Sequence, residues 1–189
     1  MRIVTFDIET ANWMSGSWDP SALDIAIVCT HDSETGHYQS FLESELTDLW
    51  KILERTDMLV GYNSDHFDIP ILNKYYPGDL TRIKSLDLMK EVYDSVGRRL
   101  KLDTLAEGTL GEKKIGSGTQ SLQWWKAGEV DKVRRYCLKD VEITRKLFDY
   151  ALEHGTLRYR DFGIAREAKL NTSKWLSPES SAMTFSLGL

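Results

Sequence analysis

The sequence predicts an α/β domain with a central mixed sheet, its first three strands antiparallel and its later strands flanked by helices. Three features carry this expectation. An alternating apolar segment opens the chain and two further strand-like runs follow it across polar turns. Helix-period stretches then alternate with short apolar runs, and one long amphipathic pattern near the end has the length of a dominant helix.

From residue 2 to residue 9 the pattern has the two-residue period of a pleat. Ile3, Thr5, Asp7 and Glu9 share one face, and Val4, Phe6 and Ile8 share the other. The loop Asn12 to Ser21 contains Gly16 and Pro20 and carries Trp13 and Trp18, which read as exposed. Strands are expected near Leu23 to Thr30 and Tyr38 to Leu42, joined by the polar turn His31 to Gly36 as a meander. Leu46, Leu49, Trp50 and Leu53 recur at helical spacing and predict a helix from about Ser44 to Arg55. The run Met58 to Tyr62 is short enough for a buried strand, reached by a right-handed crossover to a parallel neighbour.

Asp68 ahead of Ile69-Pro70 reads as a helix N-cap with proline in the first turn. Ile83 to Leu88 reads as another strand, followed by a helix to about Val96 and a short helix over Leu102 to Leu110. Gly108, Gly111, Gly116 and Gly118 bracket Lys113 and Lys114, which suggests a stretch that is mobile or shaped around something. It lacks the order of glycines, lysine and hydroxyl residue that cradles a nucleoside triphosphate. The longest helix is expected from Val130 to His154, with Val133, Cys137, Val141, Phe148 and Ala151 inward and Gly155 as C-cap. Beyond it, Leu157 to Arg160 and Ala168 to Asn171 predict a hairpin around Asp161-Phe162-Gly163, and the tail after Pro178 is expected to be peripheral. The expected division is a principal unit over 1-155, with the hairpin and tail of 156-189 packed on it.

At 189 residues, 41% hydrophobic and 28% charged, the chain has the composition of an ordinary folded domain with a substantial core. Its two cysteines, Cys29 and Cys137, fall in apolar patterns without metal-ligand spacing and read as buried free thiols of a reducing compartment. No apolar run approaches membrane-spanning length. The opening segment runs into two carboxylates and lacks a small-residue cleavage site, so a cytoplasmic location is expected and no membrane partner. A net charge of −5 counts against a non-specific duplex binder but not against an acidic active site that cations neutralise.

Three groups of residues carry candidate chemistry. Asp7 and Glu9 project together from an otherwise apolar strand, where like charges are costly unless a cation joins them; a solvated strand end is the plainer alternative. In Gly61-Tyr62-Asn63-Ser64-Asp65-His66-Phe67-Asp68, Asp68 suits a helix cap and also leaves one oxygen available to a cation. Tyr136 and Asp140 stand one turn apart on the long helix, and Asp140 lies where a bare carboxylate would be desolvated.

Together, Asp7-Ile8-Glu9-Thr10, then Asn63 with Phe67-Asp68, then Tyr136-Cys137-Leu138-Lys139-Asp140 resemble the three exonuclease motifs of the DnaQ-like, or DEDD, superfamily. The tyrosine places the resemblance with the DEDDy branch. The DEDDh branch carries histidine five residues before the last aspartate, a place held here by Arg135. The middle segment is similar to the proofreading domain of family B DNA polymerases and related predicted exonucleases. A ribonuclease-H-like fold is implied, with 1-155 as the exonuclease domain.

The resemblance also implies metal-dependent 3′ to 5′ exonucleolysis of single-stranded DNA or RNA ends. Asp7, Glu9, Asp68 and Asp140 would hold two divalent ions, Mg²⁺ or Mn²⁺. Oxygen ligands without histidine or thiol independently favour such hard cations over zinc, and two ions about 4 Å apart suit in-line phosphodiester hydrolysis. Tyr136 would orient the attacking water, a role easier to defend than that of a free base because an unperturbed tyrosine is protonated at neutrality. Thr10 would lie near the terminal sugar, and Asn63 would support the middle motif and contact substrate.

Trp13 suits either stacking on a terminal base or covering its own loop. Arg98, Arg99 and Lys101, and separately Lys113 with Lys114, suit either solvated surface or phosphate contacts. The contrasting function class is a catalytically weak nucleic-acid-binding module that acts with repair or replication proteins. Four carboxylates gathered near a polyanion favour the enzyme.

Overall fold

The computed structural model describes residues 1–13, 16, 18–112 and 116–177. Its centre is a five-stranded mixed sheet of β1 (Ile3–Thr10), β2 (Ile25–Asp32), β3 (Tyr38–Leu42), β4 (Met58–Gly61) and β5 (Lys84–Asp87). The strand order is β3-β2-β1-β4-β5. β1, β2 and β3 pair antiparallel, as the meander requires, and β1-β4 and β4-β5 pair parallel. This is the α/β, ribonuclease-H-like arrangement expected of the sequence.

Both faces of the sheet are covered, which is why β2 is buried at every position despite ending in His31 and Asp32. On one face Val4, Phe6 and Ile8 pack against α1 (Leu46–Leu53) and α2 (Asp68–Asn73) through Leu46, Leu49, Leu53, Ile69, Ile71 and Leu72. Burial of each such side chain stabilises the fold by about 1.5–3 kcal/mol. The other face carries α6 (Val130–His154), whose Val133, Cys137 and Val141 meet Ile27 and Cys29. Farther along, its Ile143, Leu147, Phe148 and Ala151 join a core with α3 (Leu88–Val96) and α4 (Leu102–Leu105). Among the described residues no helix is long and apolar enough to cross a membrane.

α6 has the bounds its periodicity predicts and ends at left-handed Gly155. Other elements depart for local reasons. β2 runs on to Asp32 through residues that read as a turn, because their polar groups find partners. Asp32 is ion-paired to Arg2 at 2.7 Å and accepts from the Glu34 N–H, and His31 lies against the Tyr38 ring and the Arg145 guanidinium. The helix expected over Leu102 to Leu110 is α4 followed by a widened π turn over Ala106–Leu110. The glycine-rich stretch contains an unforeseen helix, α5 (Gly118–Lys126), capped by the Ser117 side chain. Lys113 and Lys114 lie outside the described residues, as does the tail from Pro178.

After α6 the chain forms a two-stranded ribbon, β6 (Thr156–Asp161) and β7 (Ile164–Lys169), turning at Phe162-Gly163. Leu157, Tyr159, Ala168 and Leu170 enter the same core as α3, α4 and α6. The π turn makes this docking close. The Thr109 hydroxyl donates to the Arg158 carbonyl at 2.9 Å and accepts from the Arg158 N–H at 2.8 Å. A Cβ on Gly108 would stand 2.4 Å from that same carbonyl oxygen.

The backbone contact at Gly108 yields a test. Gly108→Ala is expected to lower stability by about 1–3 kcal/mol in urea denaturation, the usual cost of overpacking a tight contact. Gly118→Ala, in open space within 4 Å, serves as the unaffected control.

Candidate active site

β1 aims Asp7 and Glu9 at the face covered by α6, and α6 brings Asp140 to meet them. One carboxylate oxygen from each of Asp7, Glu9 and Asp140 lies within 4.8 Å of the others. Glu9 is 9% and Asp140 4% exposed, so water screens their mutual repulsion poorly. Like charges this close favour protonation unless a cation joins them.

The donor set fits a hard cation: three carboxylates with no histidine or thiol in the cluster. The nearest thiol, Cys137, faces elsewhere and donates to the Asp7 backbone carbonyl at 3.4 Å. Burial first, and then the neighbouring Cys29, keep that thiol protonated well above its ordinary range.

Asp68 stands apart from this cluster. It is the first residue of α2 rather than its N-cap, a position held by Phe67 without a side-chain cap. β4 ends at Gly61 while β1 runs on, so the Ile8 N–H projects beyond the parallel ladder and needs another acceptor. Asp68 Oδ1 supplies it at 3.0 Å, between the two carboxylate-bearing residues of β1. Burial pushes the Asp68 carboxyl up to about 7, the charges of Asp87 and Asp140 add to the shift, and the Ile8 N–H opposes it.

The loop between β4 and α2 is set by a residue the sequence reading passed over. Asp87 caps α3 through the Met89 N–H and also accepts from the Asn63 N–H at 2.7 Å and the Asp65 N–H at 3.2 Å. This holds Asn63 at φ +65°, a left-handed conformation that asparagine tolerates better than most side chains. The Asn63 side-chain oxygen is buried there with no hydrogen-bond partner among the described residues.

Tyr136 is 2% exposed and meets the edge of Trp124 from α5 at 6.2 Å between centroids. Burial, followed by the charges of Asp140, Glu9 and Asp7, pushes its phenol far above the ordinary tyrosine range. In the metal-free protein it is therefore held protonated, as a hydrogen-bond donor.

An open cleft of about 580 Å³ has Asp7, Asp140, Asn63, Arg99 and Lys101 in its wall, with Tyr62, Asp103 and Ser117. Through Asn63, Met89 and Arg99 it adjoins a hollow of about 280 Å³ carrying His66, Lys90 and Tyr93. Five residues singled out in the sequence thus share one cleft. Asp103 was missed, although an acid between the buried Leu102 and Leu105 is a signal of the same kind as Asp140.

Other residues singled out in the sequence are not among those lining this cleft. Arg98 is not a cleft residue, because its guanidinium pairs with Asp161 of β6 at 2.7 Å. The Thr10 hydroxyl donates to the Asn12 carbonyl at 3.0 Å. Trp13 is 70% exposed, whereas Trp18 stacks on His66 and Phe67 at 4.9 and 5.5 Å.

Comparison with known proteins agrees with this geometry. A family model described as the RNase H superfamily matches residues 4–152. No curated protein matches the chain. Among solved structures, the family B DNA polymerase of the hyperthermophilic archaeon Pyrobaculum calidifontis superposes with a TM-score of 0.62 at 23% identity. The similarity covers 80% of this chain and only 24% of that polymerase, and it shows a shared fold.

Asp68 gives the metal-free protein a distinctive pH response. Its folded-state carboxyl ionises near 7 and an unfolded aspartate near 3.8, so the unfolded chain loses its proton first. Stability should therefore fall as pH rises between those values. Asp68→Asn, which keeps the acceptor for Ile8, is expected to flatten this decline and add as much as a few kcal/mol near pH 7. Urea denaturation in EDTA across that range measures it.

Proposed function

We propose that this chain, which belongs to the RNase H superfamily, is a metal-dependent 3′ to 5′ exonuclease of the DEDDy type, acting on single-stranded DNA or RNA ends. The observation that carries the reading is the oxygen cluster of Asp7, Glu9 and Asp140, of which Asp7 and Asp140 line an open cleft that also presents Arg99 and Lys101. A binding module for a polyanion gains nothing from acids at that point. A hydrolase does, because its cations and its substrate phosphate neutralise one another.

Asp7, Glu9 and Asp140 would hold Mg²⁺ or Mn²⁺, and a second ion would draw on Asp68, whose carboxyl feels that of Asp140. Bound divalent cations would lower the pKa of water and offset charge on the phosphate. The protein's own groups do the rest. Arg99 and Lys101 meet the backbone phosphates without reading sequence. Asn63, set in its left-handed turn, lines the cleft where the substrate would lie. Tyr136, held protonated, donates to the attacking water or to a phosphate oxygen and so fixes the line of attack. The water oxygen bonds to phosphorus as the bond from phosphorus to the 3′ oxygen breaks. A nucleoside 5′-monophosphate leaves, and the strand keeps a 3′-hydroxyl for the next cycle.

Thr10 stands at the end of β1 beside this site, where its backbone faces the terminal sugar in the proposed complex. Trp13, exposed on the following loop, is a candidate stacking surface for a terminal base. The polymerase with the shared fold suggests a setting in which such trimming serves replication or repair proteins.

The purified chain should shorten a 5′-labelled single strand in Mg²⁺ or Mn²⁺ and stop in EDTA. A matched series of single-stranded DNA, single-stranded RNA and recessed duplex ends identifies the preferred substrate. Asp7→Ala should lose at least about 10³-fold in turnover, and Tyr136→Phe roughly 10²-fold, the scale of a misplaced proton or oriented donor. Undiminished cleavage by Asp7→Ala would overturn the assignment.

A further inference from the structure

The ribbon of β6 and β7 ends in a turn that the fold alone does not explain. Phe162 and Gly163 have φ values of +47° and +80°, the left-handed pair that a tight two-residue hairpin turn demands. Asparagine-glycine suits such a turn, because asparagine tolerates this backbone and a bulky aromatic residue does not. Phe162 gains nothing in return from the protein: its side chain is fully exposed at 100%, beside Ile164 at 58%. A ring that strains its own turn and buries no surface is directed at something outside the domain.

The charge around the tip indicates what that partner is. Both carboxylates of the ribbon are engaged, Asp161 by Arg98 at 2.7 Å and Glu167 by Arg158 at 3.3 Å. Arg160 and Arg166 form no ion pair among the described residues, so the ribbon is locally positive in a chain of net charge −5. Arg160 donates to the Gly163 carbonyl at 3.4 Å, which keeps its guanidinium beside the turn. With Arg166 it lines an open hollow of about 580 Å³ between ribbon and π turn. Exposed arginines flanking an exposed aromatic suit a strand of phosphates and bases.

Position completes the case. Asp161, the residue before Phe162, is held by Arg98, and the next residue, Arg99, lines the catalytic cleft. The base of the tip is therefore tied to the segment that forms one wall of the cleft. We propose that it is a second nucleic-acid contact: Phe162 stacks on a base of the strand entering the cleft, and Arg160 and Arg166 meet the flanking phosphates. The identity of that strand rests on the nuclease reading above.

The test compares the full chain with Phe162→Asn, Phe162→Gly and the Arg160→Ala, Arg166→Ala pair. Affinity for a fluorescent single-stranded oligonucleotide is measured in EDTA, where nothing is cut, and cleavage of a dinucleotide in Mg²⁺ is measured separately. Both Phe162 variants relieve the turn, so thermal stability should hold or rise while oligonucleotide affinity falls roughly 5- to 150-fold. The arginine pair should also flatten the salt dependence of binding. Dinucleotide cleavage, too short to reach the ribbon, should be unchanged. Unaltered oligonucleotide affinity in both stable Phe162 variants would overturn the proposal and leave the tip to a protein partner. Binding through Phe162 by a wild-type chain that cuts nothing would instead overturn the nuclease reading and leave this contact standing.

Discussion

Mutual repulsion among Asp7, Glu9 and Asp140 is the term that the surrounding structure must withstand. Their oxygens lie within 4.8 Å of one another, with Glu9 and Asp140 largely shielded from water, and only rigid elements can hold them there. β1 supplies two of them with its far face anchored by Val4, Phe6 and Ile8. α6 supplies the third and is pinned to the sheet by Val133, Cys137 and Val141 around Ile27 and Cys29. The apolar contacts on both faces thus act as a clamp on an arrangement that is unfavourable without a cation. Such local instability is a common companion of function.

The neighbouring acids show how position divides the work among identical side chains. Asp68 satisfies a strand N–H that the shortened parallel ladder leaves over, and Asp87 joins the α3 cap to the loop carrying Asn63. Both carboxyls are raised by burial, yet each accepts backbone N–H groups that hold the acidic face in shape. Tyr136 is their complement: the same negative surroundings that unsettle the acids keep its proton in place.

Most of the sheet was legible because its signals are local and periodic. The strand β1 and the helix α6 declare their inward faces in sequence, and those faces already place Asp7, Glu9 and Asp140 on elements able to meet. The illegible parts depend on distant partners. Asp68 reads as a cap until β4 is known to stop at Gly61. Asp32 reads as a turn residue until Arg2 is known to lie beside it. α5 is hidden because Leu122, Trp124 and Trp125 are only half buried and give a weak period. The basic run of Arg98, Arg99 and Lys101 looks uniform along the chain, and only the packed ribbon separates its members.

That separation fixes the length of the segment. Arg98 leaves the backbone toward Asp161, Arg99 and Lys101 toward the cleft, and Leu100 between them is buried and accepts from the Tyr62 hydroxyl at 2.6 Å. Four consecutive positions therefore have three different addresses. Deleting or inserting one residue would rotate the whole sequence of addresses, sending a guanidinium toward the apolar seat of Leu100 and leaving Asp161 facing the wrong neighbour. Substitution by another cation is tolerable at the two cleft positions, but a change of phase is not, so divergence here should proceed by exchange of side chains and never by indels.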